Sequence, residues 1–100
     1  LGAEQGERLA HRFRALLGGL AGNHAGFHHA SGAGYRFYAD WLMKLDPVNP
    51  QTAARLTQPF QNWRRYGADR QALMLGELKR ILALPGLSKN TGEMARRLIG

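Results

Sequence analysis

The 100 residues carry 14 Lys and Arg against 7 Asp and Glu, a net charge of +7, and no cysteine. That length allows one domain at most, with a modest core. The missing cysteine excludes a disulfide framework and a thiolate metal site, and no apolar run approaches the roughly 20 residues of a membrane-spanning helix.

Eleven of the cations are Arg, whose planar guanidinium pairs bidentately with carboxylate and phosphate. Such a balance suits an anionic partner: nucleic acid, an acidic membrane surface, or an acidic face of a larger polypeptide. The chain opens on Leu1 and runs out in a helical pattern, which reads as a piece of a longer protein. Cytoplasmic residence is the expectation compatible with a cysteine-free chain.

In chain order, Leu9, Phe13, Leu16, Leu17 and Leu20 recur at offsets of three and four, one stripe of a helix. The stretch from Gly22 to Gly34 holds four glycines and reads as a loop, since each costs a helix about 1 kcal/mol. A second helix is predicted from Tyr35 to Leu45, with Tyr35, Tyr38, Leu42 and Leu45 on one face. Phe37 and Trp41 form a second apolar stripe, so burial on two sides is expected. Pro47 should end it by disfavouring helical geometry at Asp46.

Asn49-Pro50 is a restart signal, a capping side chain followed by a residue suited to the first helical position. The third helix then carries Ala53, Leu56, Phe60 and Trp63 inward, with a kink or break near Ala54 to Gln58 imposed by Pro59. After Gly67 a fourth helix, Asp69 to Leu84, should bury Leu75, Leu78, Ile81 and Leu82. Pro85-Gly86 closes it, and Ser88 caps a last helix bearing Met94, Leu98 and Ile99. No strand alternation interrupts this. The fold class is all-α, short antiparallel helices of the kind that α-solenoids stack.

Catalytic parts are hard to find. His24 and His28 have the spacing of a helical metal pair, but Gly22 and Gly26 argue against a helix there and no HExxH occurs. Ser31-Gly32-Ala33-Gly34 lacks the Lys of a P-loop and follows no strand, so it reads as a joint between helices. Arg64, Arg65 and Arg70 with Trp63 and Tyr66 suggest a basic-aromatic nucleic-acid patch. Trp63 also fits the core stripe, which favours a solvated or interdomain face instead.

Three segments taken together resemble a known family: Arg14-Ala15-Leu16-Leu17-Gly18; Phe27-His28 followed by Gly32-Ala33-Gly34-Tyr35-Arg36-Phe37; and Asn49-Pro50-Gln51 with Ala54-Arg55-Leu56 and Pro59. Arg65-Tyr66, Arg70-Gln71 and Leu87-Ser88 extend the series. In this order and spacing they are similar to the C-terminal helical domain of bacterial aminopeptidase N, of the zinc gluzincin class. The match starts near Arg12, and residues 1–10 match nothing in it. It departs where Ser31 and Ala33 replace an Asp and a Ser, where His24 replaces a common Pro, and where Gly67 replaces an Asp.

The resemblance implies an α-superhelical, HEAT-like domain of residues 1–100 that has no catalytic or metal-binding residue of its own. The parent enzyme would hold one zinc ion in another domain and remove N-terminal residues from peptides. This segment would cap the active site and line the substrate cavity, with Arg14 and Arg55 facing it. The expected partners are the catalytic domain of the same polypeptide and the peptide substrate, with no membrane. An autonomous basic nucleic-acid-binding module is the alternative.

Overall fold

The computed structural model describes residues 3–100, and the side chains of residue 8 and of residues 11–100. Six α-helices follow one another: α1 Ala3–Gly22, α2 His24–Phe27, α3 Ala33–Leu45, α4 Pro50–Arg55, α5 Ala68–Leu82 and α6 Lys89–Ile99. Two 3₁₀ turns, Gln58–Phe60 and Trp63–Arg65, link α4 to α5. No strand occurs among the described residues, in keeping with the all-α reading.

The capping signals act where they stand. The Asn49 side chain accepts from the Thr52 amide at 3.0 Å with Pro50 opening α4, and Ser88 Oγ accepts from the Thr91 amide at 3.2 Å at the start of α6. Each satisfies one of the amides that a helix start leaves without a partner. The expected break after Ala54 is also present: α4 gives way to tighter turns around Pro59, which cannot donate to a helix.

The glycine-rich stretch departs from expectation. Gly22 closes α1, and His24–Phe27 form one helical turn, capped by the Asn23 side chain accepting from Gly26 N at 3.2 Å. The capping bond offsets the glycine cost over so short a turn. Two glycines in this stretch are required by geometry. Gly32 lies at φ +79°, in the left-handed region. At Gly34 a Cβ would sit 2.4 Å from the Gly26 carbonyl oxygen and 2.5 Å from that of Phe27, so α3 rests directly on the backbone of α2.

The core is aromatic at its centre. Phe27 packs against Tyr35, Tyr38 and Phe60 with ring centroids 5.1, 5.3 and 5.8 Å apart, within the range of favourable aromatic pairs. Leu17, Leu42, Leu45, Met74, Leu78 and Ile81 close around them without solvent exposure. The buried Tyr38 hydroxyl donates to the Leu56 carbonyl at 2.6 Å, and burial holds this phenol well above its ordinary pKa.

Several stripe assignments change. Leu16 is exposed because it lies roughly 100° round α1 from Leu17, the residue that enters the core. Leu9 lies outside the described side chains. On α3 the face of Tyr35, Tyr38, Leu42 and Leu45 is buried as expected, but Phe37 is exposed and Trp41 half-buried. The helix is therefore covered on one side only. On α5 Met74, Leu78 and Ile81 are buried, while Leu75 and Leu82 pack at the margin. Asp46 keeps helical dihedrals (φ −51°, ψ −49°) despite preceding Pro47. Its carboxylate, held by Ser88 and Thr91, overrides the local preference.

Along the molecule, 43 Å in its longest dimension, α1 packs on α3, α3 on α4 and α5, and these on α6. Helix α4 thereby stands between the α1–α3 end and α6.

Candidate functional site

Arg14 and Arg55 both lie beside α4, but only Arg55 lines the hollow between α4 and α6. Arg14 is exposed on α1 and reaches across to α4, where its Nη2 lies 3.5 Å from Thr52 Oγ1. Arg55 is exposed in the last turn of α4. It forms one wall of a shallow hollow between α4 and α6, facing Asn90, Glu93 and Arg97. Neither Arg14 nor Arg55 makes an ion pair among the described residues, whose two ion pairs both belong to Arg80. The hollow thus offers two guanidinium groups and one carboxylate, a net positive charge suited to a peptide carboxylate. Arg97 was missed from the sequence because its approach to Arg55 depends on α6 packing against α4.

A second cluster gathers on His28. Its Nδ1 lies 2.6 Å from the Tyr35 hydroxyl and its Nε2 3.2 Å from that of Tyr66, whose ring stacks on it at 4.5 Å. A neutral imidazole donates from one nitrogen and accepts at the other, so one phenol donates and the other accepts. Arg70 Nε donates to the His28 carbonyl at 3.0 Å, and the His24 ring lies 4.6 Å away. His24 and His28 do share one face, contrary to the loop expected there. Both nitrogens of His28 are nonetheless engaged by phenols, so the pair does not present two free ligands. Among the described residues no three of His, Cys, Asp and Glu gather to hold a metal ion.

Desolvation, with His24 and Arg70 close by, holds the His28 pKa below its ordinary value of 6.5. The consequence for stability follows from linkage. As pH falls through 6.5 the unfolded chain takes up a proton that folded His28 resists, so stability declines until the pH passes the lower, folded value. We expect the melting midpoint of the wild type to fall between pH 7.5 and 5.5. In His28→Gln that part of the pH slope should be absent, and an unchanged slope would show that His28 does not carry it.

The basic-aromatic cluster is dispersed. Trp63 is buried, its indole Nε1 donating to the Leu98 carbonyl at 2.8 Å. Arg64 lies over that indole and donates to the Ile99 carbonyl, Arg70 turns to α2, and Arg65 is exposed. No continuous strip of cations with free aromatic faces results, which removes the feature that favoured nucleic acid. At Gly67, where the resembled family often has an Asp, Gln71 Nε2 ties the start of α5 to the Arg64 and Tyr66 carbonyls at 2.8 and 2.7 Å.

Comparison with known proteins agrees with the all-helical fold. Residues 11–100 match the family model described as a domain of unknown function (DUF3458_C) with ARM repeats. The chain is 50% identical over 90 residues to aminopeptidase N of Caulobacter vibrioides, a match covering 89% of this chain and 10% of that protein. It is 42% identical over 89 residues to aminopeptidase N of Haemophilus influenzae, covering 88% and 10%. With aminopeptidase N of Escherichia coli the identity is 42% over 78 residues, covering 77% and 9%. The chain spans about a tenth of the length of these relatives.

Proposed function

We infer, from the premise that this chain belongs to the DUF3458_C ARM-repeat family and forms the C-terminal helical domain of a bacterial aminopeptidase N, that it serves catalysis without performing it. In this reading the parent enzyme removes N-terminal residues from peptides in the cytoplasm, using a zinc ion held by another domain. This segment caps the active site and lines the cavity that holds the remainder of the peptide. Its partners are the catalytic domain of the same polypeptide and the peptide itself.

The observation that carries the proposal is the placement of Arg14 and Arg55, both exposed beside α4 and without an acidic partner among the described residues. A guanidinium so placed can pair bidentately with a peptide carboxylate, and outside bulk water such a pair is worth more than at an open surface.

In the intact aminopeptidase, Arg55→Ala should raise KM for tri- and tetrapeptides on the order of ten-fold, the loss of about 1.4 kcal/mol. A single-residue anilide, too short to reach the hollow, should keep its KM. Equal effects on both substrates would assign Arg55 a structural role and sink the cavity reading.

A further inference from the structure

A second hollow, of about 480 Å³, opens between α2 and the start of α5 and shares no residue with the one beside Arg55. Its size is that of a small-molecule cleft. His24, His28, His29, Tyr66 and Arg70 line it, and the rest of its lining is alanine. No carboxylate takes part: Asp69, next to Arg70 in α5, is exposed and lies outside the lining. Arg70 is half-buried, yet it makes no ion pair among the described residues. Its one hydrogen bond there runs from Nε to the His28 carbonyl, which leaves the Nη donors for a ligand. A guanidinium that loses water without gaining an acid is costly, and an anion in the hollow removes that cost.

The hydrogen-bond chain through His28 also ends in a donor. Tyr35 is fully buried, and its hydroxyl meets His28 Nδ1 at 2.6 Å. A buried hydroxyl proton without an acceptor is expensive, so Tyr35 donates and Nδ1 accepts. The neutral imidazole then carries its proton on Nε2 and donates it to the Tyr66 oxygen at 3.2 Å. The Tyr66 O–H is thereby left to donate elsewhere, and Tyr66 lines the hollow. The local field has the matching sign. After desolvation, it is His24 and Arg70 that hold the His28 pKa below its ordinary value. Such a field repels a metal ion and attracts an anion.

We propose that this hollow binds a divalent tetrahedral oxyanion, held by the Arg70 guanidinium, the Tyr66 hydroxyl and the His24 imidazole. Arg70 supplies a fixed charge with charge-assisted donors, and Tyr66 supplies a neutral donor at the end of the chain from Tyr35. Imidazole gains its charge between about pH 8 and pH 5. With His24, His28 and His29 around the anion, and Tyr35 and Tyr66 the only other titratable neighbours besides Arg70, binding tightens as pH falls. The bound anion fastens α2 to α5.

Calorimetric titration of the intact polypeptide with sodium sulfate, against sodium chloride of equal ionic strength, tests this. Sulfate stays a dianion throughout, so any pH dependence belongs to the protein. Saturable millimolar binding is expected, on the order of five-fold tighter at about pH 6 than at about pH 8. Arg70→Gln should weaken it at least about ten-fold at both pH values. Tyr66→Phe, which keeps the ring stacked on His28, should do nearly the same and decides the matter if Arg70→Gln folds poorly. His24→Gln should flatten the pH dependence. No saturable heat beyond that of chloride would overturn the proposal, as would unchanged affinity in Tyr66→Phe. The result is independent of how Arg55 affects substrates, because the two hollows have no residue in common.

Discussion

Replacing Asp46 with alanine is expected to cost the fold about 3–5 kcal/mol, the combined effect of leaving three donors without their acceptor. Asp46 is 1% exposed at the end of α3, and its carboxylate accepts three hydrogen bonds from the start of α6. Ser88 N donates at 2.8 Å, Ser88 Oγ at 2.6 Å and Thr91 Oγ1 at 2.5 Å. Alanine would strip all three donors of their acceptor, and each buried donor without one costs about 1–3 kcal/mol. It would also loosen the cap, because Ser88 Oγ both donates to Asp46 and accepts from Thr91 N. Asp46→Asn, with one acceptor oxygen fewer, should fall between alanine and the wild type. Urea unfolding of the three proteins checks the order, and an alanine variant within about 1 kcal/mol of the wild type would refute the clamp.

Trp63→Ala should be of similar severity, about 3–5 kcal/mol, as expected for a large buried aromatic. Two losses combine. The indole fills space beneath α6, and its N–H is the donor that satisfies the Leu98 carbonyl in the last turn of α6. The melting midpoint should fall by roughly 12 °C or more, given about 4–8 °C per kcal/mol in a domain of this size. Trp63→Phe separates the contributions, restoring most of the volume while leaving Leu98 without its donor. An unchanged midpoint in the alanine variant would show that Trp63 does not support α6.

The features legible in the sequence are those whose causes are local. Asn49-Pro50, Ser88 and Pro59 act within three or four residues, and each acts as read. The stripe Tyr35, Tyr38, Leu42 and Leu45 is legible because its four apolar residues outnumber Phe37 and Trp41 on the second stripe, which misled only as to burial on that side. On α5 two stripes compete, Met74–Leu78–Ile81 and Leu75–Leu78–Leu82, and both have helical spacing. Only the neighbouring α3 and α6 decide between them, and they select Met74. The clamp on Asp46 and the phenol pair on His28 were beyond reach for the same reason. Their partners stand up to 45 residues away, and periodicity carries no information at that range. Arg14 and Arg55 came from the family resemblance. Charge and spacing alone do not distinguish them from the nine other arginines.

The end-to-end order of the helices also governs how the molecule comes apart. Where layers meet chiefly their neighbours, cooperativity resides in the seams between layers and unfolding can start at whichever seam is weakest. The bonds from Asp46 to Ser88 and Thr91 and from Trp63 to Leu98 fasten α6 to α3 and to the turn before α5. Cutting either set is therefore expected to make α6 exchange its amide protons sooner than α3 does.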